Sequence, residues 1–167
     1  MRINAVIQAR AGSTRLPGKV LAALGGHPVL EWVVRAARAA TQVDEVIVAT
    51  STLAGDDAVA DLAVSLGVPV VRGSEDDVLS RFVAALDAHP ADAVVRLTAD
   101  CPLLDPTLID AVIGAWAAAP IHDYVSPVLM RSLPRALAAA RARAPALAPR
   151  RRLAAGARRR RACEGGR

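Results

Sequence analysis

The chain has 167 residues, of which 53% are apolar and 2% are aromatic. That length and apolar content suffice for one domain with a buried core. Two cysteines, Cys101 and Cys163, cannot form the disulfide framework of a small secreted domain. The longest apolar runs also fall short of the roughly 20 residues that a membrane span needs. We therefore expect a cytoplasmic protein without a membrane partner.

The net charge of +5 is distributed unevenly. Residues 131–167 contain twelve arginines and one acid, Glu164, a net charge of +11. The preceding 130 residues carry nine basic and fifteen acidic side chains, a net charge of −6. The residues after Met130 are almost all Ala, Arg, Pro and Leu, and runs of like charge are usually solvated. The sequence thus predicts a domain at 1–130 and a disordered tail at 131–167.

Strand-like and helix-like patterns alternate along the first 119 residues. Short β-branched or apolar runs predict strands, and apolar residues at helical spacing predict helices. Gly67 follows the second helix and Pro106 begins the fourth, positions that these residue types favour. The alternation indicates an α/β fold whose mostly parallel sheet is covered by helices on both faces. In chain order the predicted elements are strand 4–9, helix 29–40, strand 45–50, helix 56–66, strand 68–71, helix 75–88, strand 93–97 and helix 106–119.

The candidate functional residues follow the predicted strands. In sheets of this type, ligands bind beyond the carboxyl ends of the strands. That rule brings together three loops, at residues 8–19, 73–77 and 98–105. We therefore expect one composite site at this edge of the sheet.

The first of these loops suits a triphosphate. Its cations match the charge of the ligand, because arginine grips phosphate oxygens in pairs and lysine acts as a mobile point charge. Its glycines let backbone N–H groups turn toward an anion. The Walker pattern and the GxGxxG fingerprint are both missing. A solvated basic turn is the alternative, but three cations with glycines directly after the first strand favour nucleotide binding. The residues concerned are Arg10, Gly12, Ser13, Thr14, Arg15, Gly18 and Lys19.

Asp100 is the candidate metal ligand. It lies just past the fourth predicted strand, and Mg²⁺ in proteins takes one or two carboxylates together with phosphate oxygens. The alternative is a hydrogen bond within the turn. Asp105, directly before Pro106, is expected to cap the fourth helix, which leaves Asp100 for the metal.

The third loop has a strong structural interpretation. Ser74 resembles a helix N-cap, with Asp77 three residues later in the capping-box position. A role near the ribose or base for Asp76, Asp77 or Arg81 is a secondary hypothesis. Cys101 is expected to be a small apolar filler, and the three histidines lack metal-ligand spacing.

Four stretches carry a family resemblance. They are Gln-Ala-Arg-Ala-Gly-Ser-Thr-Arg-Leu-Pro-Gly-Lys at 8–19, Asp-Glu-Val-Ile-Val-Ala-Thr-Ser at 44–51, Arg-Gly-Ser-Glu-Asp-Asp-Val-Leu at 72–79 and Thr-Ala-Asp-Cys-Pro-Leu at 98–103. In this order they resemble the cytidylyltransferases related to spore coat polysaccharide protein F. The wider group includes the CMP-sialic acid and CMP-Kdo synthetases. The resemblance spans roughly residues 1–126.

The resemblance implies a Rossmann-like nucleotidyltransferase fold and a reaction. CMP would pass from CTP to a sugar or sugar acid in surface polysaccharide biosynthesis, with Mg²⁺ as cofactor and pyrophosphate as the second product. By position, the cations and Ser13 of the first loop would bind the triphosphate, and Asp100 would bind magnesium. The backbone at residues 7–9, including Ala9, would face the base.

The resemblance ends near Ser126. Pro127 follows where the family has Asn, and Ala11 stands where members usually have Met. Members continue with a Gly-x-Asp-Val-Glu-type strand that supplies a further acid and part of the sugar pocket. We expect no such strand after Met130 and infer a truncated or frameshifted carboxyl terminus. Because related enzymes pair through C-terminal elements, a homodimer is possible but not the expected state.

Two other functions fit parts of the sequence. A nucleotidyltransferase for another base, or a nucleotide-sugar glycosyltransferase, would use a similar fold. In another class, an inactive nucleotide-binding module could contact nucleic acid through its arginine-rich tail. The tail lacks aromatic residues that stack on bases, so nucleic acid is not the expected partner.

Overall fold

The computed structural model describes residues 1–119, 123–126 and 140–143. These residues form a six-stranded sheet and a separate two-stranded hairpin. The strands are β1 Ile3–Gln8, β2 Ala23–Leu24, β3 His27–Pro28, β4 Glu45–Ser51, β5 Val70–Gly73, β6 Ala93–Thr98, β7 Tyr124–Val125 and β8 Ala140–Arg143. The helices are α1 Val29–Ala39, α2 Asp57–Ser65, α3 Val78–Ala88 and α4 Pro106–Ala118, and a 3-10 helix at Ala54–Asp56 precedes α2.

The sheet follows the order β5-β4-β1-β6-β8-β7, and its first four strands are parallel. β1 lies between β4 and β6 and is hydrogen-bonded along its length to both. Parallel neighbours require crossover connections, which the helices provide. All the carboxyl ends of these four strands therefore lie at one edge of the sheet.

Both faces of the parallel strands are covered. Because successive side chains of a strand point to opposite faces, Ile7 packs in a cluster with Leu30 of α1 and Ile109 of α4. On the other face, Val6 packs with Phe82 of α3. The predicted α/β fold with helices on both faces is confirmed.

The predicted strands and helices occur with small shifts of their ends. Gly67 adopts the left-handed conformation expected after a helix, with φ of 65°. Asp105 caps α4, since its carboxylate accepts a hydrogen bond from the Thr107 N–H at 2.8 Å. The β2–β3 hairpin, which follows the first loop, was not predicted.

The predicted start of α3 is wrong. The helix begins at Val78, and its N-cap is Asp77, whose carboxylate accepts from the Ser80 N–H at 2.9 Å. The Ser74 hydroxyl instead accepts from the Asp77 N–H at 3.2 Å, in a turn that precedes the helix. Two capping residues three positions apart compete for the helix start, and the turn at Ser74 leaves the cap to Asp77.

The chain beyond α4 is described in two short segments. β8 lies antiparallel to both β6 and β7. The other residues of 131–167 lie outside the described residues, as do Pro127 and His122. Residues 140–143, which the sequence placed in the disordered tail, form β8 in the sheet, so for them that prediction is wrong. The division at residue 130 and the disorder of the other tail residues stay predictions. Within the described ranges, no helix is both long and apolar enough to span a bilayer.

Gly67 provides a test of the backbone. Replacing Gly67 by Ala should lower the free energy of unfolding by about 1–2 kcal/mol, because a Cβ is strained at positive φ. The added Cβ would meet only Arg38 Nη2, at 3.8 Å, so crowding would contribute little. Urea unfolding measures the change. Gly55→Ala is the matched control, since Gly55 has open space and no positive φ, and an equal loss there would contradict the backbone explanation.

Candidate active site

The register of β1 fixes where three loops leave the sheet. Gln8, the last residue of β1, pairs with Ala49 of β4 and with Thr98 of β6. The Ala9 N–H donates to the Ala49 carbonyl and the Ala99 N–H donates to the Gln8 carbonyl, each at 3.0 Å. The chain segments that follow β1, β4 and β6 therefore start side by side.

A cleft of about 290 Å³ lies at this edge, close to the lower end of the roughly 300–1,000 Å³ typical of ligand sites. The residues of the first loop that were predicted to bind a triphosphate all line it except Gly18, and so does Asp100. Ala9 is buried beneath the cleft with its N–H bonded, and the Asp77 carboxylate caps α3, so neither lines it. The lining residues are Gln8, Arg10, Gly12, Ser13, Thr14, Arg15, Leu16, Lys19, Val20, Thr98, Ala99 and Asp100.

Lys19 and Asp100 form an ion pair across the cleft. Lys19 is the single lysine of the chain, and its ammonium group donates a hydrogen bond to the Asp100 carboxylate. Burial by itself would raise the pKa of Asp100, but the hydrogen bond and the positive charge of Lys19 act in the opposite direction, and the net pKa is lowered. The carboxyl is therefore ionised at neutral pH. The structure thus brings together the two residues that the sequence assigned to phosphate and to metal.

Asp100 supplies a single carboxylate, so a magnesium ion there needs further oxygen donors from a bound molecule. Among the described residues, no group of three or more His, Cys, Asp and Glu side chains could hold a metal ion. A single carboxylate that lines an open cleft fits a cation whose remaining ligands are phosphate oxygens and water. The donor chemistry therefore fits Mg²⁺ bound together with a nucleotide rather than a cation held by protein ligands alone.

The loop after β5 also reaches the first loop. Glu75 lies 4.0 Å from the Arg10 guanidinium, and its carboxylate is the nearest atom to a Cβ placed on Gly12, at 3.8 Å. The Arg10 and Glu75 side chains are both well exposed, so this pair contributes little to stability. The contact confirms that the third predicted loop lies beside the first.

Asp56 is the residue that the sequence interpretation missed. It is the last residue of the 3-10 helix in the segment that follows β4, at the same edge of the sheet, and is 4% exposed. Its carboxylate accepts from the Ala11 N–H at 2.6 Å and from the Ser51 N–H at 3.3 Å, and also from the Ser51 hydroxyl. The rule that ligands bind beyond the carboxyl ends of parallel strands, applied to β4, would have selected this acid. Burial by itself would raise the pKa of Asp56, but the hydrogen bonds from Ser51 and Ala11 act in the opposite direction, and the net pKa is lowered.

Arg81 is fully buried beside these loops. Its Nη1 donates to the Ser74 carbonyl at 2.7 Å and to the Glu75 carbonyl at 3.3 Å. Burial lowers the pKa of Arg81, and the negative charge of Asp56 opposes that shift. Arg81 does not line the cleft, so its hypothesised contact with a base or ribose has no direct geometric support.

Cys101 lies next to Asp100 and is half-buried. Its Sγ is 3.1 Å from the Thr98 hydroxyl. Burial raises the pKa of the thiol, which disfavours the thiolate that nucleophilic catalysis needs. This agrees with its interpretation as a filler.

The depressed pKa of Asp56 leads to a stability prediction. A carboxyl with a lowered folded-state pKa stabilises the fold above its unfolded pKa, and this contribution disappears as the pH falls through the folded pKa. We expect Asp56→Asn to be about 2 kcal/mol less stable at pH 7, with a difference that narrows below about pH 4. Urea unfolding at pH 7, 5, 4 and 3 measures it. Asp57→Asn, on the exposed neighbour paired with Arg72, is the control and should show little change.

Comparison with known proteins identifies the family. A family model described as Cytidylyltransferase matches residues 4–149. Spore coat polysaccharide biosynthesis protein SpsF of Bacillus subtilis is 42% identical over 114 residues, which cover 66% of this chain and 48% of that protein. The chain spans about half the length of the curated relatives it matches.

Solved structures agree in fold. A cytidylyltransferase from Leptospira borgpetersenii superposes with a TM-score of 0.83 at 30% identity, covering 88% of this chain and 62% of that chain. CMP:2-keto-3-deoxy-manno-octonic acid synthetase complexed with CTP gives 0.66 at 27% identity, covering 75% and 52%. Rv0371c of Mycobacterium tuberculosis in complex with manganese gives 0.58 at 25% identity, covering 75% and 64%. The nucleotidyltransferase type of the fold is thereby confirmed, and the chain belongs to the cytidylyltransferase family.

Proposed function

We propose that this protein binds CTP with Mg²⁺ and transfers CMP to an oxygen of a sugar or sugar acid, releasing pyrophosphate. The observation that carries the proposal is the cleft itself. Three cations of the first loop and the carboxylate of Asp100 line it together at the carboxyl ends of β1 and β6, and one of the cations, Lys19, pairs with Asp100. The similarity to a synthetase complexed with CTP supports this choice of nucleotide. We place the reaction in the cytoplasm, where nucleoside triphosphates are available.

The first loop would bind the triphosphate. Arg10 and Arg15 line the cleft with exposed guanidinium groups, and Lys19 lies at its side toward β6. Gly12 and Ser13 lie between the two arginines and offer backbone N–H groups and a hydroxyl. Cations and N–H groups arranged around one cleft neutralise a triphosphate without protein movement at the moment of reaction.

Asp100 would anchor the cation. When bound, Mg²⁺ neutralises charge on the α-phosphate and on the departing pyrophosphate. The manganese complex of a structural relative supports a divalent metal, and the carboxylate and phosphate oxygens favour magnesium. Lys19, which pairs with Asp100 in the absence of a nucleotide, would contact a phosphate oxygen once the cation takes its place at the carboxylate.

The base would lie against the backbone at residues 7–9, with Asp77 as a secondary candidate for the ribose. The Ala9 N–H and the Gln8 carbonyl are both already bonded, so hydrogen bonds to the base would use other backbone groups of this stretch. One oxygen of the Asp77 carboxylate caps α3, which leaves the second oxygen for a ribose hydroxyl. Thermal-shift ranking of CTP, UTP and GTP tests the assignment, and CTP should give the largest shift.

The reaction would be an in-line displacement. An oxygen of an acceptor hydroxyl group attacks the α-phosphorus of CTP and gives up its proton to water. The bond from that phosphorus to the bridging oxygen breaks, and pyrophosphate leaves with the electron pair. Positioning and charge neutralisation supply most of the acceleration in reactions of this type.

The single lysine makes the phosphate assignment testable. Amine-directed acylation labels Lys19 and the amino group of Met1, which is the internal control. We expect CTP with Mg²⁺ to slow acylation of Lys19 and to leave Met1 unchanged, as measured by peptide mass spectrometry. Lys19→Ala and Arg15→Ala should each weaken CTP binding about tenfold or more, because each removes a charged phosphate contact. Unchanged affinity in both variants, with Arg35→Ala as the control outside the cleft, would contradict the assignment.

Asp100 is tested separately. In the Asp100→Asn variant, adding Mg²⁺ should no longer strengthen CTP binding, since the neutral amide is a poor ligand for the cation. Isothermal titration with and without Mg²⁺ measures the difference. Asp105→Asn is the matched control in the same segment, because asparagine still caps a helix. An undiminished Mg²⁺ effect in Asp100→Asn would show that the cation binds elsewhere.

A further inference from the structure

We propose that Asp56 is a positioning residue, which holds the first loop in the conformation that binds a triphosphate. The inference rests on the proposed function, because the ligand of that loop is taken to be the triphosphate of CTP. Asp56 lies 45 residues from Ala11 in sequence and does not line the cleft. Its effect on the ligand is therefore exerted through the loop.

Ala11 is the point at which the first loop is held. Its N–H donates to Asp56 at 2.6 Å, and its carbonyl accepts from the Gly18 N–H at 2.9 Å. The second bond closes the loop between Ala11 and Gly18. Gly18 has a positive φ of 69°, which glycine adopts without strain. The four residues Gly12 to Arg15, which line the cleft, lie within this closed segment. Fixing Ala11 thus fixes the base of the segment that faces the ligand.

The side chain of Asp56 is directed to the loop rather than to its own helix. Asp56 occupies the N-cap position of α2, where an aspartate normally accepts hydrogen bonds from the first turn. Here no such cap bond forms, and the carboxylate binds Ala11 and Ser51 instead. Helix α2 therefore lacks a side-chain cap, and the carboxylate of Asp56 instead links the segments that follow β1 and β4.

Only a carboxylate suits this position among side chains of its size. Two backbone N–H groups and one hydroxyl donate to it, and both of its oxygens accept. Asparagine offers one oxygen acceptor and would leave a buried N–H without a partner. The requirement for two acceptor oxygens explains an acid at a site that binds an anion.

A buried cation accompanies this buried acid. The Arg81 guanidinium is fully buried, and the negative charge of Asp56 favours its charged form. The same guanidinium donates to the carbonyls of Ser74 and Glu75, and the Glu75 carboxylate lies beside Arg10. Asp56 itself does not line the cleft, whereas the three cations of the first loop do.

A loop held in advance binds its ligand more tightly, because the ordering cost is removed before binding. If Asp56 is replaced, the loop must be ordered by the triphosphate itself. The KM for CTP should then rise while kcat at saturating CTP changes little. A general loss of structure would instead lower both the active fraction and the apparent kcat.

The test compares Asp56→Ala with Ser51→Ala. Ser51→Ala removes a buried hydrogen bond to the same carboxylate but leaves the bond to Ala11 in place. Both variants should lower the urea midpoint. Amide hydrogen exchange of peptides covering residues 10–19, measured without ligand, should become faster in Asp56→Ala alone. Binding of inorganic tripolyphosphate and of CTP with Mg²⁺ should weaken about tenfold in Asp56→Ala and less than twofold in Ser51→Ala.

The outcomes separate the inference from the proposed function. If the wild-type protein fails to bind CTP, the proposed function is wrong, while exchange at residues 10–19 still decides whether Asp56 orders the loop. Equal exchange and equal affinity in the two variants would overturn the inference, because a shared structural defect would explain both. Should Asp56→Ala fail to fold, Asp56→Ser takes its place, because its shorter side chain loses the bond to Ala11 and can still cap α2. Faster exchange in that variant supports the inference, and unchanged exchange overturns it.

Discussion

The site depends on the position of β1 between two parallel neighbours. Because β1 pairs with β4 on one side and β6 on the other, Gln8 ends level with Ala49 and Thr98. Parallel strands present their carboxyl ends at one edge, so the loops that follow must share that edge. A shift of one residue in the pairing of β1 with β6 would turn every side chain of one strand to the opposite face and displace Lys19 from Asp100.

Charge is arranged in two layers around this edge. In the outer layer, the cations of the first loop line an open cleft and Lys19 is paired with Asp100. In the inner layer, Asp56 and Arg81 are buried and carry hydrogen bonds to the backbone of the loops. The outer layer is available for exchange with a ligand, because its groups remain hydrated. The inner layer is not, because a buried charge without its partners is costly.

The likeness to cytidylyltransferases includes all four parallel strands and extends beyond them, further along the chain than the residues near Ser126 where the sequence resemblance was expected to end. The family model covers residues 4–149, and the Leptospira structure superposes over 88% of this chain. The relatives extend to about twice the matched length. In the proposed reaction, the residues that this chain supplies are therefore those expected to bind the nucleotide.

The amino-acid sequence by itself determined the order of strands and helices and most of the residues of the cleft. Alternating patterns identified the elements, and the rule that ligands bind at strand ends selected Arg10, Arg15, Lys19 and Asp100, because these depend on local sequence and a general property of parallel sheets. Only the tertiary structure decided the roles of Asp56 and Arg81. Asp56 precedes a helix and Arg81 lies within one, where the sequence favours a cap and a solvated charge. Their burial and their bonds to distant backbone groups result from packing between segments far apart in the chain, which no local pattern encodes.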